Sequence, residues 1–131
     1  MAYTRIHAIK STVKKAVAYI CNPDKTEDQL LIDTFGCGVE TAAIDFDSAL
    51  RQTRPTDKNL AFHLIQSFAK GEVSHEEAHR IGIELADKLL QGKYSYIIAT
   101  HTDKGHPHNH IIFCVSFMEL FGNCNKCYQK E

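Results

Sequence analysis

The sequence predicts an α+β fold, a central antiparallel sheet of about five strands with helices packed on it. Three observations carry this. Short runs rich in β-branched and aromatic residues recur at 3–9, 30–35, 59–68, 95–100 and 108–117. Segments with helical apolar spacing separate the earlier ones. The chain has 131 residues, 44% of them hydrophobic, which suits one domain with a buried core and argues against disorder.

The elements follow in order. "YTRIHAI" (3–9) alternates as a strand does. Ser11 or Thr12 can cap the helix "TVKKAVAYIC", and Asn22-Pro23 ends it because the residue before proline avoids helical geometry. "LLIDTF" (30–35) is a short strand bounded by Gly36 and Gly38. "ETAAIDFDSALRQTR" (40–54) reads as a helix with Ala43, Phe46, Ala49 and Leu50 on one face, closed by Pro55. "NLAFHLIQSF" (59–68) is too short for a typical helix and reads as a central strand.

"SHEEAHRIGIELADKLLQG" is the best-defined helix: Ser74 and Glu77 form a capping box, Ile81, Leu85 and Leu89 share a face, and Gly92 stops it. On this reading His75 and His79 lie on the polar surface. "SYIIAT" (95–100) and "HNHIIFCVSF" (108–117) are the last strands. The order is β-α-β-α-β-α-β-β, a single domain over 1–131 without repeats or linkers.

Charge and composition exclude several classes. The net charge is −1, so nucleic acid or an anionic membrane would need a local basic patch. No apolar run approaches the roughly 20 residues of a membrane span. "MAYTRIHAIK" lacks the apolar centre of a secretory signal. Five scattered cysteines without such a signal read as reduced thiols, so the expected location is the cytoplasm, with no membrane insertion. Cys124 and Cys127 form one CxxC, half of a structural zinc site.

"HTDKGHPHNHIIF" (101–113) holds four of the eight histidines. Alternate side chains of a strand share a face, so His108 and His110 point one way with Ile112 and Cys114, while Asn109, Ile111 and Phe113 point the other. His101 ends the preceding strand, and a short loop folds it back beside that pair. Three imidazoles then meet with part of a cation's coordination sphere open, as a catalytic metal site requires. Asp103 could accept the second ring N–H of a ligating histidine and fix its tautomer. His106, in the loop, reads as a substrate contact or spectator. His63 is a core histidine or a neighbour of the cluster, and His7 has no evident partner.

These motifs resemble the relaxase/mobilisation nuclease family of HUH endonucleases. "AVAYICNPDKT" (16–26) is similar to that family's first motif, a helix bearing a nucleophilic tyrosine followed by an Asn-Pro-acidic-Lys-Thr turn. "FHLIQSFAKGEVSHEEAHRIGIELADKLL" resembles its middle segment, and "ATHTDKGHPHNHIIF" its third motif. The resemblance implies that Tyr19 is the catalytic tyrosine, that His101, His108 and His110 hold the metal, and that Asp103 is their acidic partner. It implies Mg²⁺ or Mn²⁺, although three imidazoles alone favour softer ions. It implies a nickase that forms a 5′-phosphotyrosine at a transfer origin, on single-stranded or supercoiled plasmid DNA, to initiate conjugative mobilisation. Accessory mobilisation proteins and a type IV coupling protein are the implied partners. Lys14, Lys15 and Lys25, with Lys10, would supply a cationic track near Tyr19, Arg51, Arg54 and Lys58 a second cluster, and His106 a DNA contact.

Cys114 stands where the family usually has asparagine, and the tail "VSFMELFGNCNKCYQKE" departs further. The expectation is an N-terminal portion of a domain that usually extends further. Two alternatives remain. "HPHNHII" imitates a histidine-triad nucleotide hydrolase with His108 as nucleophile, though Asn109 breaks its apolar pattern and Tyr19 has no part in it. A non-catalytic DNA-binding or metal-binding remnant is the other.

Overall fold

Strand β5, His108–Phe117, is the centre of the molecule, and its alternation sets what lies on either side. In the computed structural model, described for residues 3–10, 13–22, 31–38, 40–46, 61–102 and 106–117, five strands form one sheet. They are β1 (Tyr3–Ile9), β2 (Ile32–Phe35), β3 (Ala61–Ser67), β4 (Tyr94–His101) and β5, in the order β1-β3-β5-β4-β2. Every neighbouring pair is antiparallel. The α+β architecture is therefore as the sequence predicts, with β3 interior and β5 central.

The sheet has two apolar faces, which is why both need cover. On one, Ile9, Ala61, Ile97, Ala99, Ile112 and Cys114 pack with Val17 and Ile20 of helix α1 (Val13–Ile20) and with Ala42 and Phe46 of a helical segment at 42–46. On the other, Leu64, Tyr96, Ile98 and Ile111 meet Ala86 and Leu90 of helix α2 (His75–Leu90). Burying a large aliphatic side chain contributes about 1.5–3 kcal/mol, so the four fully buried isoleucines of β4 and β5 dominate the core. The rest of the predicted helix 40–54, the tail from 118 and the Cys124/Cys127 pair lie outside the described residues. No helix among the described residues is long and apolar enough to cross a membrane.

Helix α2 starts as its sequence dictates: the Ser74 hydroxyl accepts the Glu77 N–H. It ends with Gln91 and Gly92 in the left-handed region (φ 54° and 71°), where glycine carries no Cβ penalty. Its buried face differs from the expected one. Ala78, His79, Gly82, Ala86 and Leu90 face the sheet, whereas Leu89 is 50% exposed. Small residues at four-residue spacing let the helix approach closely, and that contact outweighs burial of the Ile81–Leu85–Leu89 stripe.

Candidate metal centre

The register of three strands builds the site. His101 and His108 are directly opposed across the β4–β5 ladder, and His110 faces Ala99, two positions along on the same side. Strand parity therefore puts all three imidazoles on the α1 face. One ring nitrogen from each lies within 4.8 Å of the others. Ring centroids are 4.1 Å apart for His101 and His110, 4.9 Å for His108 and His110, and 5.2 Å for His101 and His108.

Three imidazoles suit a divalent transition cation, and ring nitrogens within 4.8 Å of one another are near enough to serve as its donors. His101 and His110 are buried and His108 is half-buried, which leaves one side approachable.

The cluster is held from behind. The His101 Nε2 lies 2.9 Å from the carbonyl oxygen of Ile20. A carbonyl can only accept, so this nitrogen carries the proton. Ile20 ends α1, where the last carbonyls lack helical partners, so His101 both satisfies that helix end and anchors it to the sheet. Tyr19, one residue earlier, is thereby placed over the cluster. Its ring stands edge-on to His101 at 5.8 Å and to His110 at 6.4 Å between centroids, and the residue is 53% exposed. The structure thus brings Tyr19 together with His101, His108 and His110, with the Tyr19 ring half-exposed at the surface.

The remaining predicted site residues divide. His106 is exposed, its ring 5.7 Å from that of His108. Lys10, Lys14 and Lys15 are exposed, the last two on α1. Asp103, Lys25, Arg51, Arg54 and Lys58 lie outside the described residues.

The structure settles the open reading of His63 and corrects that of His79. His63 is buried on β3, on the face of the cluster, with Nε2 2.8 Å from the His110 Nδ1. Burial, followed by the charges of His7, His101 and Arg5, pushes its pKa down to about 4. His7, exposed on β1, is its cross-strand neighbour at 4.9 Å. His79 is a correction: it is not solvated but buried, with Nδ1 2.7 Å from the Thr100 hydroxyl and Nε2 2.6 Å from an Asp33 carboxylate oxygen.

Thr100 donates to Asn109 Oδ1, and Asn109 Nδ2 donates to Gln66 Oε1 and the Ala78 carbonyl. This buried polar chain on the α2 face lies directly behind His101, His108 and His110, locking the β4–β5 register on which they depend. Its signal in the sequence is faint: a polar residue, Asn109, at a buried strand parity, and a histidine beside the Ala78–Gly82–Ala86 row.

Residues 19–126 match the MobA/VirD2-like relaxase nuclease domain. The chain is similar to the protein Rlx of Staphylococcus aureus, 32% identical over 112 residues, covering 86% of this chain and 32% of that protein. It is 34% identical over 121 residues to the group II intron-interrupted relaxase LtrB of Lactococcus lactis, covering 72% of this chain and 22% of that protein. A further Staphylococcus aureus Rlx is 44% identical over 69 residues, half of this chain and 22% of that protein. The chain therefore spans about a third or less of the length of these relatives. With the family match running across most of its residues, including Tyr19 and all three clustered histidines, the chain belongs to the MobA/VirD2-like relaxase nuclease-domain family.

Proposed function

We propose that this domain nicks one DNA strand at a transfer origin, with Tyr19 as nucleophile and His101, His108 and His110 as the seat of a divalent cation, Mg²⁺ or Mn²⁺. The observation that carries the reading is the position of Tyr19 over the three-histidine cluster, 5.8 Å from His101. The Tyr19 hydroxyl attacks the scissile phosphorus. A bond forms between the phenolic oxygen and phosphorus, the bond to the 3′ oxygen breaks, and the phenolic proton ends on the released 3′ hydroxyl. The 5′ phosphate stays on Tyr19, so the bond energy is kept for rejoining. A phenol is a weak nucleophile near neutral pH, with an ordinary pKa near 10. A bound cation would draw charge from the phosphate oxygens as it builds up.

In this reading Asp103 supports a cluster histidine, and Lys14, Lys15, Lys25 and His106 contact the phosphates of single-stranded or supercoiled plasmid DNA. The reaction would serve conjugative mobilisation in the cytoplasm, with accessory mobilisation proteins and a type IV coupling protein as partners. A histidine-triad nucleotide hydrolase would need neither a cation nor Tyr19. A labelled single-stranded origin oligonucleotide with manganese chloride tests the reading. Cleavage by the wild type, abolished by chelator and by His108→Ala, is expected. Cleavage that persists in both controls would overturn the assignment of the cation.

A further inference from the structure

Two of the three clustered histidines have a ring nitrogen held by a main-chain carbonyl from outside the cluster. Ile20 holds His101 at 2.9 Å, and His106 holds His108 through Nδ1 at 3.4 Å. Each carbonyl selects the tautomer whose lone pair lies on the other nitrogen, which is how proteins orient ligating histidines. His110 is held differently. Its Nδ1 faces the Nε2 of His63 at 2.8 Å, a bond between two buried rings.

We propose that His63 is a positioning residue for the cluster: its Nε2 accepts the Nδ1 proton of His110 and so keeps the lone pair of His110 on Nε2. This rests on reading the three histidines as a cation site. Two imidazole nitrogens 2.8 Å apart share one proton, so one ring must donate and the other accept. If His63 donated, His110 would carry its own proton on Nε2, and neither nitrogen of His110 would have a lone pair to offer a cation. If His63 accepts, His110 is in the ligating tautomer, and His63 carries its own proton on Nδ1.

The fold fixes His63 for this. It lies mid-strand on β3, paired to Ile112 of β5 on one side and to His7 of β1 on the other. Its ring centroid is 5.0 Å from that of His110, with 47° between planes, close enough for an in-plane nitrogen contact without full stacking. His63 therefore does for His110 what the Ile20 and His106 carbonyls do for the other two.

The test uses the 131-residue chain. Long-range ¹H–¹⁵N spectra of the metal-free protein should show His110 protonated at Nδ1 and unprotonated at Nε2. A His110 ring protonated at Nε2 would overturn the proposal. Calorimetry with manganese chloride supplies the second readout. His63→Phe keeps the bulk and removes the acceptor, and should weaken binding about 10–100-fold. His63→Gln places an amide oxygen where Nε2 sits and should stay within about threefold of wild type. Equal binding by wild type and His63→Phe would overturn the proposal. Should His63→Phe fail to fold, the wild-type ring spectrum decides by itself. A wild type that takes up no manganese would instead overturn the cation reading, while the spectrum still decides the His63–His110 bond.

Discussion

Replacing Gly82 by alanine tests how tightly the helix behind the site is seated. In an exposed helix, Gly→Ala stabilises by about 1 kcal/mol. Here the sign should reverse. A Cβ on Gly82 would stand 2.5 Å from Asn109 Nδ2, 2.6 Å from Ile98 Cδ1 and 2.8 Å from Asn109 Cγ. The Ile98 methyl can rotate away. Asn109 cannot, because it is fully buried and held by Thr100, Gln66 and the Ala78 carbonyl. Either α2 lifts from the sheet, an overpacking cost of about 1–3 kcal/mol, or Asn109 gives up a buried bond at about 1–3 kcal/mol. Both together, less the propensity gain, leave a net loss of roughly 1–5 kcal/mol. With a urea slope of about 2 kcal/mol/M, the unfolding midpoint should fall by roughly 0.5–2.5 M at unchanged slope. A midpoint equal to or above that of wild type would refute the close approach at Gly82.

Thr100→Val removes the hydroxyl that joins His79 to Asn109, and should cost about 1–3 kcal/mol through the stranded partners; urea denaturation showing no change would contradict the network. Burial pushes the Cys21 thiol up to about 11, and burial together with the Asp45 charge pushes Cys37 up to about 12, from ordinary values near 9. Above pH 9 the unfolded thiols lose protons that the native ones keep, so stability should fall as pH rises from 9 towards 11. Alkylation at pH 8, read peptide by peptide, should be far slower at both sites than in urea; equal rates would contradict their burial. If Lys14 and Lys15 contact DNA phosphates, alanine at each should weaken single-strand binding and lower the log–log salt slope by about 0.7. An unchanged slope would remove that lysine from the track.

Local physics was enough to read much of this molecule. The parity of residues 108–114 places His108 and His110 on one face and Asn109 on the other because a strand's period is two. Ser74, Glu77 and Gly92 bound α2 closely because capping is a local hydrogen-bond problem. The placement of Tyr19 over the cluster was reached through the likeness of 16–26 to a family motif, not through spacing.

What escaped depends on partners distant in sequence. His79 sits on a helix otherwise rich in charge, and nothing near it reveals that Asp33 and Thr100 will bracket its ring. The close approach of α2 was hidden because a search for large apolar residues favours Ile81, Leu85 and Leu89 over the small residues that face the sheet. His63 was ambiguous for the same reason: its role depends on the β3–β5 register, which no local pattern specifies.

The most direct measurement of the central claim is location of the covalent bond to DNA. Wild-type protein incubated with labelled single-stranded origin DNA and manganese chloride should give a shifted band on a denaturing gel. Peptide mapping should place the 5′-phosphate on Tyr19. Tyr19→Phe keeps the ring that packs beside His101 and His110 but offers no oxygen to the phosphorus, so it should fold, bind manganese and give no band. A band that persists in Tyr19→Phe, or an adduct mapped to another residue, would contradict the account.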